Sequence, residues 1–136
     1  MKRHGLAAAA AAAAIAAASV SAALAAPPDP QPDPSATQAG RKLFIRCIAC
    51  HSMNASARPM TGPHLEGIVG RPVAALPDFA YSDALRAQDF VWDEERLDAF
   101  LEAPHRLHPG MCLTFGGLPR AEDRAALIAY LKNPAR

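Results

Sequence analysis

The sequence has few aromatic residues, few lysines and almost no net charge. Aromatic residues make up 6% of its 136 residues, and 14 basic residues stand against 13 acidic ones. Without Lys2 and Arg3 at the N-terminus, 12 basic residues remain and the net charge becomes about −1. The rest of the chain contains only two lysines, Lys42 and Lys132. The sequence therefore carries no footprint of nucleic-acid binding, and any cationic docking surface has to consist of arginine.

Segments that alternate polar and apolar residues over the length of a strand are also absent, as are internal repeats. Apolar residues instead recur at helical spacing in four segments. Ser35 and Asp93 are good N-caps for two of them, and Pro104 should end the helix that starts at Asp93. The predicted helices run from Ser35 to Cys47, from Ser82 to Arg86, from Asp93 to Pro104 and from about Ala121 to Lys132. The sequence thus predicts an all-α fold.

The N-terminus has the features of an export signal. Lys2 and Arg3 precede an apolar, alanine-rich run from Leu6 to Ala26, and the Ala-Leu-Ala sequence at 23–25 suits a signal peptidase. We predict that residues 1–25 are a cleaved signal peptide. An uncleaved run of about 20 apolar residues could instead anchor the chain in a membrane.

A proline-rich segment follows the predicted signal peptide. Prolines alternate with other residues up to Pro34, which removes backbone donors and favours an extended, solvated chain. We predict a linker over 26–34 and one compact domain over 35–136, because the chain length suits a single domain.

The strongest motif is Cys47-Ile48-Ala49-Cys50-His51, whose spacing is that of covalent haem attachment. Two thiols three residues apart at the end of a helix project from the same side, within reach of the two vinyl groups of one porphyrin. His51 would then present a neutral imidazole to the iron. A structural zinc site would need a second Cys/His pair, and a redox-active Cys-x-x-Cys normally starts a βαβ helix. The sequence offers neither context.

Together with this motif, both ends of the predicted domain resemble the class I cytochromes c, over about 35 to 134. Gly40 and Phe44 in the first helix, and Leu127, Tyr130 and Leu131 in the last, resemble the crossing terminal helices of that family. The resemblance implies one haem c enclosed by three to five helices and long loops. It also implies that Gly40 lets the two terminal helices approach closely.

The segments after the haem motif extend the resemblance. The loop 62–71 resembles a family loop in which, by position, Pro63 supplies a carbonyl to the His51 ring and Arg71 lies near a haem propionate. Tyr81 belongs to the next matching segment, and Trp92 resembles a tryptophan at the haem edge. Without the resemblance, Trp92 is an ordinary core aromatic.

The resemblance fails at the second face of the haem. The family closes that face with a methionine in a Pro-Gly-x-x-Met-x-Phe-x-Gly loop, and here Leu113 occupies the methionine position after Pro109 and Gly110. Met111 is the candidate sixth ligand, although it lies two residues early and could equally fill the core. The thiol of Cys112 is expected to be a small buried apolar group.

Two histidines, His105 and His108, lie close before this loop and could also supply nitrogen to iron. We expect both to be surface residues, because the segment that carries them is short and bounded by prolines. A methionine ligand would suit outer-sphere electron transfer, whereas an iron with no protein ligand on this face would be open to small molecules.

These observations predict a periplasmic electron carrier with one haem and no catalytic residue. It would be a monomer that accepts an electron from a dehydrogenase or a quinol-oxidising complex and passes it to an oxidase or a reductase, without binding nucleic acid. It would meet the membrane only if the leader remained uncleaved. The alternatives are a protein that binds carbon monoxide, nitric oxide or peroxide behind Leu113, with at most weak peroxidase activity, and a haem subunit docked permanently to a dehydrogenase.

Overall fold

The computed structural model describes residues 33–109 and 114–134, and within them it is helical. The described elements are α1 (Pro34–Leu43), a 3-10 turn (Phe44–Arg46), α2 (Asp83–Arg86), α3 (Glu94–Glu102), α4 (Pro104–Leu107) and α5 (Ala121–Lys132). The only strand-like pairing among these residues is an isolated antiparallel bridge between Pro72 and Val91. The all-α prediction is confirmed. The predicted signal peptide and most of the predicted linker lie outside the described residues.

The start of α1 differs from the prediction. The N-cap is Asp33, not Ser35: its carboxylate accepts hydrogen bonds from the Ser35 amide at 2.8 Å and from the Ser35 hydroxyl at 2.9 Å. Pro34 takes the first helical position, where a missing amide proton costs nothing. The helix therefore begins inside the predicted linker, because proline favours a helix start as readily as it favours an extended chain.

The two terminal helices cross at Gly40. A Cβ atom at this position would collide with the carbonyl oxygen of Ala126 and would lie 2.7 Å from the Cβ of Tyr130. Beside the crossing, the rings of Phe44 and Tyr130 contact each other with centroids 5.5 Å apart. The predicted role of Gly40 in close helix approach is confirmed.

Helix α3 packs against α5 and is held by side-chain contacts at its start and in its middle. Asp93 caps it, as predicted, by accepting the Arg96 amide at 2.7 Å. In its middle, Asp98 accepts from the buried Arg124 of α5 at 2.8 Å, and the same guanidinium donates to the carbonyl of Leu118 at 3.0 Å. After Glu102 the helix stops, and Pro104 starts the unpredicted one-turn helix α4.

The core lies between these helices and extends towards the loops. Its buried apolar residues are Phe44, Ile68, Trp92, Leu97, Leu101, Leu118, Leu127, Ile128, Tyr130 and Leu131. Cys47 and Leu65 are among the partly buried residues packed against it. Across residues 33–109 and 114–134, none of the helices has the length and the apolar character needed to span a bilayer.

Candidate haem site

The Cys47–Cys50 turn continues directly from the N-terminal helix. The 3-10 turn tightens the end of α1, and the amides of Cys50 and His51 then donate to the Cys47 carbonyl at 3.0 and 2.9 Å. Both cysteines are partly buried, with free thiols, while Ile48 between them is exposed. The turn thus holds two thiols and the following histidine in one compact unit.

The two thiols differ in their surroundings. Cys47 packs against the core, and burial together with the neighbouring Cys50 raises the pKa of its thiol, although the positive charge of Arg46 opposes this shift. A raised pKa keeps the thiol protonated, so Cys47 in this environment is a poor metal ligand and a poor nucleophile.

The ring of His51 is held by the loop that follows it. Its Nδ1 lies 2.7 Å from the carbonyl oxygen of Pro63. Because a carbonyl only accepts, Nδ1 carries the proton and Nε2 keeps its lone pair. Such a second-sphere bond fixes the orientation and raises the basicity of a metal-binding imidazole. The predicted contact between the Pro63 carbonyl and the His51 ring is present.

Gly62 makes room for that ring. A Cβ atom on Gly62 would collide with the Cε1 atom of His51 and come within 2.7 Å of Nδ1. Backbone bonds tie the two segments together, since the Gly62 amide donates to Cys50 and the Leu65 amide to Ser52, both at 2.8 Å. The loop therefore forms a close-fitting support on one side of the imidazole.

Arg71 lies at the far end of the same loop. Its guanidinium donates to the carbonyl oxygens of His64 at 2.8 Å and Glu66 at 3.3 Å. Burial lowers its pKa, while the nearby Tyr81 acts in the opposite direction. Within the part of the chain that the structure describes, Arg71 makes no ion pair, so its charge is available to a carboxylate such as a haem propionate.

Tyr81 and Trp92 both lie near Arg71, and their part in binding a haem stays a prediction. Burial raises the pKa of the Tyr81 phenol, against the influence of the Arg71 charge. The Trp92 amide donates to the Arg71 carbonyl at 2.9 Å, and the Gly70 amide donates to the Trp92 carbonyl at 2.8 Å. Three residues that are well separated in sequence are thus joined at one edge of the core.

The donor set fits a haem better than a zinc ion. Among the described residues, no group of three or more His, Cys, Asp or Glu side chains could hold a metal ion. Two buried ring nitrogens, Nδ1 of His64 and Nε2 of His108, have no hydrogen-bond partner within 33–109 and 114–134. Buried polar atoms without partners indicate a missing group, and a porphyrin that brings its own four nitrogens to the iron needs only axial ligands from the chain.

The second-face candidates fall outside this description. Met111, Cys112 and Leu113 all lie in the undescribed segment 110–113, so their predicted roles stay predictions.

One histidine of this region was predicted wrongly. His105 is exposed, as expected, but His108 is buried at 8% exposure. Its ring stacks on Phe90 with centroids 5.7 Å apart, at an interplanar angle of 22°. The predicted surface position failed because α4 turns His108 back towards the core. Phe90 and Trp92 are the aromatic residues in the sequence that could have suggested an apolar site for His108, but the sequence does not show that they contact it.

Comparisons with known proteins agree on one family. The cytochrome c homolog of Rickettsia prowazekii is 42% identical over 94 residues, which are 69% of this chain and 54% of that protein. Cytochrome c2 of Rhodoblastus acidophilus is 40% identical over 95 residues, 70% of this chain and 89% of that protein. The cytochrome c-type cyt cy of Rhodobacter capsulatus is 41% identical over 100 residues, 73% of this chain and 49% of that protein.

No protein-family model matches the chain. The chain spans about half the length of the rickettsial relatives that it matches.

Proposed function

This chain belongs to the class I c-type cytochromes, whose cofactor is a covalently attached haem c, and we propose that it is an exported one-electron carrier with a single haem. The observation that carries the proposal is the bond from Nδ1 of His51 to the Pro63 carbonyl at 2.7 Å. That bond leaves Nε2 of an oriented, neutral imidazole for iron, directly after the two thiols of a Cys-x-x-Cys-His motif.

In this proposal, Cys47 and Cys50 anchor the porphyrin through two thioether bonds, and His51 is the axial ligand. Bound haem c supplies an iron that alternates between the ferric and ferrous states. The Pro63 carbonyl would hold the His51 ring in one orientation and so limit its rearrangement when the iron changes oxidation state. Gly62 contributes by keeping the space beside the ring free of a side chain.

The remaining predicted cofactor-binding residues have supporting roles. Arg71 would offer its guanidinium to a haem propionate, and Tyr81 beside it would donate its phenolic proton to the same group. Trp92 would pack its ring against the porphyrin. Arg71 supports this arrangement, because it is partly buried and has no carboxylate partner among the described residues, and a buried cation is costly unless an anion accompanies it.

The exposed Ile48 between the two cysteines supports electron transfer at the surface. It is 47% exposed, so the covalent attachment lies where a partner protein can approach. No residue changes its covalent state during such transfer, and we assign no catalytic residue. The partners would be redox proteins: a dehydrogenase or quinol-oxidising complex as donor, and an oxidase or reductase as acceptor.

The location of the protein follows from the predicted leader. We propose that residues 1–25 direct export to the periplasm, that the linker ends before the Asp33 cap of α1, and that the cytochrome domain begins with that cap. A leader that stays uncleaved would tether the same domain to the membrane surface. Mass spectrometry of the protein isolated from a bacterial periplasm measures the mature N-terminus and distinguishes the two forms.

The test of function is an absorption spectrum of the purified holoprotein, ferric and reduced, with and without carbon monoxide. An electron carrier should show reversible one-electron reduction and a low-spin ferrous spectrum that carbon monoxide leaves unchanged. A high-spin spectrum that shifts with carbon monoxide would contradict the carrier and indicate an open second face.

The sixth ligand is tested with matched methionine variants. We propose Met111 as the candidate, so Met111→Ala should convert the low-spin spectrum to one that responds to carbon monoxide. Met60→Ala is the control, because Met60 is an exposed methionine two residues before the loop that supports His51. An unchanged spectrum in Met111→Ala would remove Met111 as a ligand.

A further inference from the structure

His108 is a buried titratable residue that the proposed electron transfer does not use. The residue is 8% exposed, and its Nε2 atom has no hydrogen-bond partner among the described residues. Three aromatic rings surround it: Phe90 with centroids 5.7 Å away, Phe100 at 6.0 Å and Trp92 at 6.1 Å. A histidine in such a cage packs as an aromatic ring but keeps one nitrogen that can bind a proton.

The charges around the cage favour the neutral ring. Arg96 on α3 places its guanidinium 4.3 Å from the centroid of Phe90, and burial together with this charge lowers the pKa of His108. Asp89 precedes Phe90 in the sequence and is exposed. Asp93 follows Trp92, is also exposed, and accepts the Arg96 amide at the α3 cap. None of these positions gives His108 an acidic partner.

The helix that precedes His108 adds no compensating acid. On α4, His105 and Arg106 are exposed, and Arg106 lies 3.5 Å from Glu102 in a surface ion pair. The backbone amide of His108 donates to the Pro104 carbonyl at 3.0 Å, which fixes where the ring leaves the helix. Any gain of a proton on Nε2 is therefore governed by the electrostatic potential of the core.

That core also receives the haem attachment. Cys47 packs against the same apolar cluster that contains Trp92. The backbone of Trp92 is bonded to Gly70 and Arg71, at the end of the loop that holds the His51 ring. A charge that appears or disappears in this apolar interior is poorly screened, so a neighbouring titratable group responds to it.

We propose that His108 is the proton-binding residue coupled to reduction of the haem. When a redox partner delivers one electron to the haem, Nε2 of His108 takes up to one proton from solvent, and the proton leaves again on oxidation. No covalent bond other than N–H forms or breaks. The inference rests on the proposed electron-carrier function, and it makes the protein a proton-coupled carrier whose driving force depends on pH.

The sign of the effect follows from the charges. The ferric haem carries one more positive charge than the ferrous haem, so His108 binds a proton less readily in the oxidised protein. Between the two pKa values the midpoint potential falls as pH rises, and outside them it is constant with respect to this group. The lower end of this pH range lies below the ordinary histidine pKa of 6.5. Each tenfold difference in proton affinity between the two states corresponds to about 59 mV.

The experiment measures the midpoint potential of the full holoprotein by spectroelectrochemistry from about pH 4.5 to about pH 8. The wild type should show a falling potential across the window. His108→Phe keeps an aromatic ring in the cage and should give a flatter curve. His105→Gln removes an exposed histidine three residues earlier and should retain the wild-type curve.

A second measurement does not depend on how a variant folds. Nuclear magnetic resonance titration of the His108 ring in the wild type should give a higher pKa in the ferrous than in the ferric protein. We expect the proton affinity of the ring to differ by about tenfold or more between the two states. Equal values in the two states would overturn the proposal.

The other results are equally distinct. A pH-dependent potential that persists in His108→Phe would assign the coupling to another group and refute the proposal. Loss of the low-spin spectrum in His108→Phe would mean that His108 binds iron itself, which also refutes it. Absence of reversible one-electron reduction in the wild type would refute the electron-carrier function instead.

Discussion

The crossing of α1 with α5 and the loop over 52–81 differ in what holds them in place. The crossing is a dry contact, with Leu127, Ile128, Tyr130 and Leu131 of α5 all buried. In the loop, Ile68 is the only buried residue. Backbone hydrogen bonds, such as that from Gly62 to Cys50, connect the loop to the rest of the protein. Local stability follows buried apolar contacts, so the helices should be self-supporting while the loop depends on the haem that it encloses.

The loop and the helix crossing also differ in their proposed roles. The loop positions Pro63 and Arg71, which we propose to contact the axial histidine and a haem propionate. We therefore expect the order of the loop to depend on the cofactor, and the helix crossing to be the same in both oxidation states of the iron. The predictions below separate these two contributions.

The largest effect is expected from His51→Ala, which removes the proposed axial ligand. The low-spin spectrum should be lost, and hydrogen exchange of the Gly62 and Leu65 amides should speed up by about tenfold or more, because the loop loses its central contact. The α5 amides should change much less. His105→Ala is the control for loss of an exposed histidine, and equal acceleration in the loop and in α5 would contradict the comparison.

A second variant tests the covalent attachment of the haem separately from the ligation of its iron by His51. Cys47→Ala should leave the haem bound through one thioether bond at Cys50, with the His51 ligand in place. Mass spectrometry of the denatured protein measures the covalent attachment, and the ferrous spectrum reports the ligation. Release of the haem on denaturation would show that Cys50 forms no bond.

Gly40→Leu should disturb the opposite region. The new side chain would collide with the Ala126 carbonyl and crowd Tyr130, so we expect a loss of about 3 kcal/mol in the free energy of unfolding. Urea unfolding followed by circular dichroism measures it. Gly116→Leu is the matched control, because no atom of the described residues lies within 4 Å of its Cβ position. Similar losses in both variants would mean that the close approach at Gly40 is not the cause.

A smaller loss, of about 1 kcal/mol, is expected for Asp93→Ala. The substitution removes the side-chain acceptor for the Arg96 amide, at 2.7 Å, and leaves the start of α3 uncapped. Thermal unfolding measures the change. Asp89→Ala removes an exposed acid in the same segment, and an equal effect there would attribute the loss to charge and not to capping.

The smallest effect concerns acid and the start of α1. Hydrogen bonds from the Ser35 amide and hydroxyl lower the pKa of Asp33 below its usual value of 3.8. The cap is therefore fully formed above that value and is lost as pH falls through the lowered pKa. The Ser35 amide chemical shift should follow this titration, and Asp33→Asn should abolish it. A pH-independent shift in the wild type would contradict the cap.

Some features of this protein depend on neighbours in the chain, and for these the sequence was sufficient. The Asp93 cap, the stop before Pro104 and the bounds of α5 all follow from the order of nearby residues. The Cys47–His51 motif likewise predicted haem c, because a fixed spacing of two thiols and an imidazole has few other uses. The resemblance around that motif also indicated the Pro63 contact and the crossing at Gly40.

Local reasoning failed where several signals competed or where distant residues met. Asp33, not Ser35, caps α1, because Pro34 suits a helix start as well as a linker. The unpredicted helix α4 and the burial of His108 depend on Phe90, Trp92 and Phe100, which reach the same place from two other segments.

The sequence by itself determined the helical class, the haem-binding motif and the family, because each follows from residue types at short, fixed separations. Only the tertiary structure decided which side chains share an environment: Arg71 beside Tyr81, and His108 inside its aromatic cage. The physical reason is that burial and the potential at a titratable group depend on all neighbours in space, and most of those neighbours are distant along the chain.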